Sequence, residues 1–373
     1  MRKIRILYAI PNFDTAGSGV ALMKLVTGLD RSRFTPMIVC LHDRGRYFET
    51  VRASGIPVHV YPYLSPLKPR PRLLSNVLKT SRFFRSLSPD IIFSYHYSSD
   101  FSEALAARLA GCRFMYVKKN MGWHGPSKNQ WRLKTLLSHA ITVQNEDMMK
   151  GFFPANPKAH LISIGVDLTE FHPRPQDHDL RNELGLTVTQ KIVLCVANLV
   201  PKKGIPDLIR AFARSRHRSS CMLLVVGRYE TPMWEETKNL IHGLGLDDRV
   251  IFTGLRMDVP RFYTIADLFV LPSTGNEGAP IAIQEAMASG VPVLTTDTPG
   301  NRDQVRDMPG QMVPPADPEA LGDAMDRLLD ADEPFRNEIV GRQLRTVEDR
   351  YSLKKEIADH ERLYLKTMNG RLR

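Results

Sequence analysis

The sequence lacks any apolar run approaching the ~18–20 residues of a membrane-spanning helix, and its 373 residues include only four cysteines. Cys40, Cys112, Cys195 and Cys221 are scattered without paired spacing, which excludes a disulfide scaffold and a cysteine zinc cluster. Tandem repeats and low-complexity tracts are missing as well, so fibrous and disordered classes drop out. With 43% hydrophobic, 24% charged and 8% aromatic residues, the composition is that of a globular protein. The basic start, Met1-Arg-Lys, leads into an apolar stretch too short for a signal peptide. It reads as a first strand, and the chain as a cytoplasmic protein.

Acidic residues are missing from one long stretch. None lies between Glu49 and Asp90, whereas Arg52, Lys68, Arg70, Arg72, Lys79, Arg82 and Arg85 do. Residues 1–175 carry 25 Lys and Arg against 11 Asp and Glu (+14), leaving 26 against 29 (−3) for the rest of a chain of net charge +11. Such asymmetry points the first half at an anionic partner. Phe83 and Phe84 interleave with the basic residues, and Pro66, Pro69 and Pro71 stiffen the approach. Three readings stand: contact with anionic lipid headgroups, capture of a lipid-pyrophosphate acceptor, or a solvated helix face with its aromatics in the core. No nucleic-acid module accompanies the charge.

What the chain has in quantity is alternation. Apolar runs at 4–10, 36–41, 58–63, 91–95, 114–117, 140–144 and 161–164 are followed by others at 192–199, 222–227, 250–253, 268–271, 291–295 and 312–314. Near-continuous hydrophobicity is the mark of parallel strands covered on both faces. Helical patterns at 20–29, 102–110, 206–213 and 281–289 lie between them. The fold class is therefore α/β, with two doubly wound Rossmann-like domains. The polar, proline-containing stretch within 167–186 supplies the connector, giving domains 1–168 and 169–351. A last helix over 352–368 is expected to pack back on the first domain.

The densest segment runs Asp267-Leu-Phe-Val-Leu-Pro-Ser-Thr-Gly-Asn-Glu277-Gly-Ala-Pro-Ile-Ala-Ile-Gln-Glu285. A buried strand ends at Pro272-Ser273, and Pro280 then suits a first helical position, where its missing N–H costs nothing. The N–H groups of Ile281 and Ala282 would open that helix unpaired, a site for phosphate. Glu277 and Glu285 could both face one ligand, and paired carboxylates accept hydrogen bonds from sugar hydroxyls.

This segment resembles the E-x7-E signature of retaining glycosyltransferases, closest to family 4 of the GT-B fold. Ile164-Gly-Val-Asp167-Leu-Thr-Glu-Phe171 resembles the family's interdomain turn, and Val196-Ala-Asn-Leu-Val-Pro-Lys-Lys203-Gly204 its donor loop. Pro299-Gly300-Asn301 resembles its GGN turn. The resemblance implies two domains facing a cleft that closes to exclude water. Lys203 would contact a donor diphosphate, Glu277 the transferred sugar and Glu285 the ribose hydroxyls. Backbone near Leu255 and Arg256 would meet the base, and Gly278, Ala279, Pro280 and Ile281 would line the phosphates. The family has an arginine where this chain has Asn198, so Lys202, Lys203 or Arg228 would carry more of the phosphate charge.

In the first half, Gly17 and Gly19 follow the first strand where backbone must approach a ligand. A dinucleotide fingerprint fails there because Leu22 occupies the third glycine position. The histidine with which the family often ends the strand at 114–117 falls on Lys119; either Lys119 or His124 would replace it. His96 ends another strand and suits packing and function equally.

The expected activity is transfer of a sugar from a nucleotide-diphosphate sugar to an acceptor hydroxyl with retention (a hexosyl- or related glycosyltransferase), with Glu277, Lys203 and Lys119 catalytic. The resemblance implies no metal and no other cofactor. It points to a carbohydrate or lipid-linked acceptor in cell-envelope polysaccharide or glycolipid synthesis, at the inner face of a membrane. A nucleotide-sugar epimerase of the same fold and a non-catalytic sugar-nucleotide-binding protein are the alternatives.

Overall fold

Each of the apolar runs becomes a strand paired in parallel with its neighbours. The computed structural model describes residues 2–14, 16–45, 47–65, 70–122 and 127–370. It divides into one unit of Met1–Ile164 with Leu353–Arg373 and a second of Gly165–Ser352.

The first unit holds β1 (Ile4–Ala9), β2 (Phe34–Cys40), β3 (Val58–Val60), β4 (Ile91–Ser94), β5 (Arg113–Lys118), β6 (Ala140–Val143) and β7 (Ala159–Leu161). Their order across the sheet is β3-β2-β1-β4-β5-β6-β7. Alternate residues serve opposite faces. Ile6, Tyr8 and Phe93 enter one buried cluster, and Leu7, Ala9 and Ile92 the other. The last strand lies earlier than the expected 161–164, because Ile141 and Val143 pair with Ala159 and Leu161.

The second unit holds β8 (Lys191–Val196), β9 (Cys221–Val226), β10 (Val250–Gly254), β11 (Leu268–Leu271), β12 (Val293–Thr296) and β13 (Met312–Val313). Its order is β10-β9-β8-β11-β12-β13. Both sheets reverse direction once, between β1 and β4 and between β8 and β11. Open α/β sheets bind ligands beyond the carboxyl ends of strands at such a reversal.

The division falls after Ile164 rather than after 168. Val166 donates its N–H to Tyr351 O at 2.8 Å and bridges to Ser352, which ties the start of the connector to the second unit. The final helix, Leu353–Asn369, packs on the helix Ala16–Gly28 of the first unit. A Cβ on Gly28 would lie 2.2 Å from Ile357 Cδ1, and Tyr8 donates to the Tyr364 hydroxyl at 2.9 Å.

The basic stretch forms the helix Arg70–Leu87. Val77 and Phe84 are buried, and Phe83 stacks on Tyr61 with centroids 3.9 Å apart. Arg72, Lys79, Arg82 and Arg85 are exposed. Lys68, Pro66 and Pro69 lie outside the described residues. Among the described residues no helix is long and apolar enough to cross a membrane.

Candidate functional site

In the second unit, two loops at the β8/β11 reversal are stitched together by backbone contacts that only glycine permits. After β8 the chain makes a short helical turn, Pro201–Lys203, and enters the left-handed region at Gly204 with φ +64°. A Cβ there would lie 2.0 Å from Pro272 O at the end of β11. Lys202 O in turn accepts from the N–H groups of Thr274 (2.9 Å) and Gly275 (3.2 Å). The lysine pair is thereby carried to the loop that follows β11.

The result is a carboxylate between two ammonium groups. Lys203 Nζ lies 3.0 Å from Glu277 Oε1 and Lys202 Nζ 3.2 Å from Oε2, while Glu277 is only 6% exposed. The Ser273 hydroxyl approaches Oε1 at 3.4 Å. Glu277 donates its own N–H to Pro299 O at 3.0 Å. Gly300, at φ +87°, packs so closely that a Cβ would lie 2.7 Å from both Glu277 O and Gly278 O. Buried Asn301 anchors this turn by donating to Thr295 Oγ1 at 2.8 Å, and Gln304 Nε2 donates to Gly300 O at 2.9 Å.

Pro280 is not the first helical residue. Its ψ of 110° is extended, so it precedes the helix Ile281–Ala288 and its carbonyl accepts from Ile283 N. The N–H groups of Ile281 and Ala282 open the helix at its positive end, beside half-buried Gly278 and Ala279. On the second turn, Glu285 Oε2 accepts from the Tyr263 hydroxyl at 2.9 Å. Burial, then the neighbouring Glu285 charge, push the Tyr263 phenol well above its ordinary pKa, which keeps it a donor. Nothing in the local sequence pattern marks Tyr263; its role comes from packing between Phe171 and Phe269.

Asn198 and Arg228 are also brought together. Both are exposed, and Asn198 Oδ1 accepts the Arg228 N–H at 2.9 Å. Leu255 is exposed, whereas the Arg256 guanidinium forks onto Asp258 at 2.8 and 2.7 Å and reaches Glu183 at 2.6 Å. These bonds hold Asp258 well below the usual carboxylate range and raise Arg256. The side chain of Arg256 is thus committed within the protein.

In the first unit, Gly17 and Gly19 lie in the first turn of the helix Ala16–Gly28. A Cβ on Gly19 would meet the Phe13 ring at 2.9 Å, whereas Gly17 is exposed with open space around it. Lys119, at the position where the family often has a histidine, follows directly on β5. It is buried, with Nζ 3.0 Å above the Tyr95 ring centroid and 3.5 Å from Tyr95 O. Burial pushes its pKa well below the usual lysine value, against a smaller opposing pull from Glu356.

Lys118, unmarked in the sequence reading, is fully buried and donates to Asn120 O, Asn120 Oδ1 and Gly122 O at 2.6, 2.5 and 2.7 Å. Burial, with Lys134 nearby, lowers its pKa to about 7. His96 is a packed histidine, its Nε2 3.0 Å from the buried Glu103 carboxylate. His124 lies outside the described residues. Among the described residues no group of three or more His, Cys, Asp or Glu could hold a metal ion.

Residues 176–344 match the family model described as glycosyl transferases group 1, and residues 15–170 that of glycosyltransferase family 4. The chain is 30% identical over 203 residues to a GDP-mannose-dependent monoacylated alpha-(1-6)-phosphatidylinositol monomannoside mannosyltransferase of Corynebacterium glutamicum, covering 52% of each chain. It is 26% identical over 273 residues to a UDP-Gal:alpha-D-GlcNAc-diphosphoundecaprenol alpha-1,3-galactosyltransferase of Escherichia coli, covering 68% of each. The chain spans about half the length of the corynebacterial relative and of several other curated relatives it matches. A glycosyltransferase crystal structure from Rickettsia africae shares the fold, with a TM-score of 0.89 over 99% of this chain and all of that one at 18% identity.

Proposed function

Because this chain belongs to the group 1, family 4 glycosyltransferases of the GT-B fold, we propose that it moves a sugar from a nucleotide-diphosphate sugar to an acceptor hydroxyl with retention of configuration. The observation that carries the reading is Glu277 held between Lys202 and Lys203 beside the opening of the helix Ile281–Ala288. Two ammonium groups on one carboxylate leave a net positive charge, and the helix N-terminus adds to it. A diphosphate leaving group meets that charge as it departs; one such preorganised contact is typically worth ~10²–10³ in rate. Glu277 then accepts from a hydroxyl of the transferred sugar and faces the positive charge that grows at its anomeric carbon. Glu285, oriented by Tyr263, accepts from the ribose, and backbone at Leu255 and Arg256 meets the base. A leaving-phosphate oxygen takes the proton of the incoming hydroxyl, so no separate protein base is needed.

In this reading the second unit binds the donor and the first the acceptor. The named activities of the two relatives, on a phosphatidylinositol mannoside and on a diphosphoundecaprenol-linked sugar, support a lipid-linked or envelope-glycan acceptor. The exposed face of the helix Arg70–Leu87, with Leu74 and Leu78 among Arg72, Lys79, Arg82 and Arg85, supports peripheral attachment to an anionic membrane surface.

A thermal-shift panel of UDP, GDP, ADP and NAD tests the donor site. A ligand at 100 times its Kd stabilises by ~2.7 kcal/mol. One nucleoside diphosphate should raise Tm in the wild type and not in Lys203→Ala. No shift with any of them, or a shift with NAD alone, overturns the proposal.

A further inference from the structure

The loop beyond β4, residues 95–101, lies at the β1/β4 reversal of the first unit, the counterpart of the position that β11's loop occupies in the second. It is held from beneath by ionisable side chains that are costly to bury. Glu103 and Lys134 are fully buried and His96 is 2% exposed. Glu103 Oε2 accepts from Ser94 Oγ at 2.7 Å and from His96 Nε2 at 3.0 Å, and His96 Nδ1 accepts from Ser98 N at 3.2 Å. Lys134 donates to Ser98 O at 3.2 Å, and the Ser99 hydroxyl donates to Gln130 Oε1 at 2.6 Å. A buried lysine and carboxylate are poor devices for stability, since desolvation offsets most of their attraction. They do fix geometry, which is what a binding site needs of its supporting shell.

What this rigid loop presents to solvent is Tyr97, 52% exposed. Its hydroxyl is 2.6 Å from Ser18 Oγ in the first turn of the helix Ala16–Gly28, and its carbonyl accepts from Asn120 Nδ2 at 3.4 Å. Lys119 Nζ lies 5.2 Å from its ring centroid. The ring is therefore fixed at its hydroxyl and at its backbone. An aromatic ring has a negative face that attracts the slightly positive C–H groups of a sugar ring, and a ring already immobilised loses little entropy on binding.

We propose that Tyr97 is the stacking platform for a pyranose of the acceptor, with Ser18 fixing the ring and the Lys134–His96–Glu103 cluster fixing the loop. The proposal rests on the reading of the first unit as the acceptor-binding unit. Saturation-transfer NMR of the full chain with a panel of methyl α- and β-pyranosides (gluco, manno, galacto and N-acetylglucosamine) tests it. At least one of these should receive saturation from the wild type and from Tyr97→Phe, and severalfold less from Tyr97→Ala. The nucleoside diphosphate that shifts Tm in the wild type should shift Tyr97→Ala equally, which shows the variant folded and the donor site intact. Undiminished transfer in Tyr97→Ala, or no transfer to any pyranoside from the wild type, overturns the platform while the donor-site result stands by itself.

Discussion

Two places in this chain share a topology and differ in their electrostatics. Beyond β8 and β11, two lysines flank one carboxylate and keep some contact with water, with side-chain exposures of 54% for Lys202 and 18% for Lys203. Around the ends of β4 and β5, Lys118 and the helix residue Lys134 are wholly buried and Lys119 nearly so, stacked on aromatic rings and shifted toward the neutral amine. An ammonium kept near water and paired to a carboxylate keeps its charge for an arriving anion. An ammonium taken from water loses it unless carboxylates follow. Lysines near the carboxyl ends of two similar sheets thus meet different surroundings, water and a carboxylate in one and aromatic rings in the other.

Breaking the charged side of this comparison should have the largest effect. Glu277→Ala should lower donor turnover by ~10²–10³-fold or more, read as release of nucleoside diphosphate from the donor. Gly204→Ala comes next: forcing a Cβ against Pro272 O in a left-handed residue should cost at least ~1–3 kcal/mol. A lower denaturant midpoint together with weaker nucleotide binding would show that the Lys202–Lys203 turn had lifted from its partner loop. Equal stability would show that the stitch is dispensable.

The neutral side is sharpened by pH. Lys118 has a folded pKa of about 7, below its ordinary 10.5. Between those values the unfolded chain binds the extra proton, so stability should rise with pH across that window. Lys119 and Lys134, lowered by burial, act in the same sense. Asp258 works in the opposite pH range: its folded pKa is depressed, so its contribution is present above the usual carboxylate pKa and is lost as acid is added. Denaturation of Lys118→Met from pH 6 to 10 should show a flatter rise than the wild type; an unchanged slope would assign the rise to other groups. The smallest effect is expected at Tyr263→Phe. Removing the hydroxyl from Glu285 should cost about 1 kcal/mol of donor affinity, seen as a higher KM for donor with kcat nearly unchanged.

Much of the charged site was legible because its residues are close in sequence and sit on regular elements. Glu277 and Glu285 lie eight residues apart across a strand–loop–helix junction, and Lys203 precedes a glycine in the loop that follows a buried strand. The small misreading at Pro280 has a local cause. Proline is favoured at the first helical position, and only the observed ψ shows that Pro280 stops one residue short of it. The aromatic–lysine site was far less legible. His96, Glu103 and Lys134 come from a strand end and two helices, and no periodic pattern announces that they meet.

By itself, the sequence determined the two parallel sheets, through runs of apolar residues too continuous for any strand with a wet face, and it singled out Glu277, Glu285 and Lys203. Tertiary structure alone decided which lysines stay near water beside a carboxylate and which are buried against aromatic rings. It also decided that Tyr263 would hold Glu285 from 22 residues away and Lys202 would hold Glu277 from 75. Charge state depends on how much water each group retains and which partners reach it, and both are properties of the packed chain rather than of its local order.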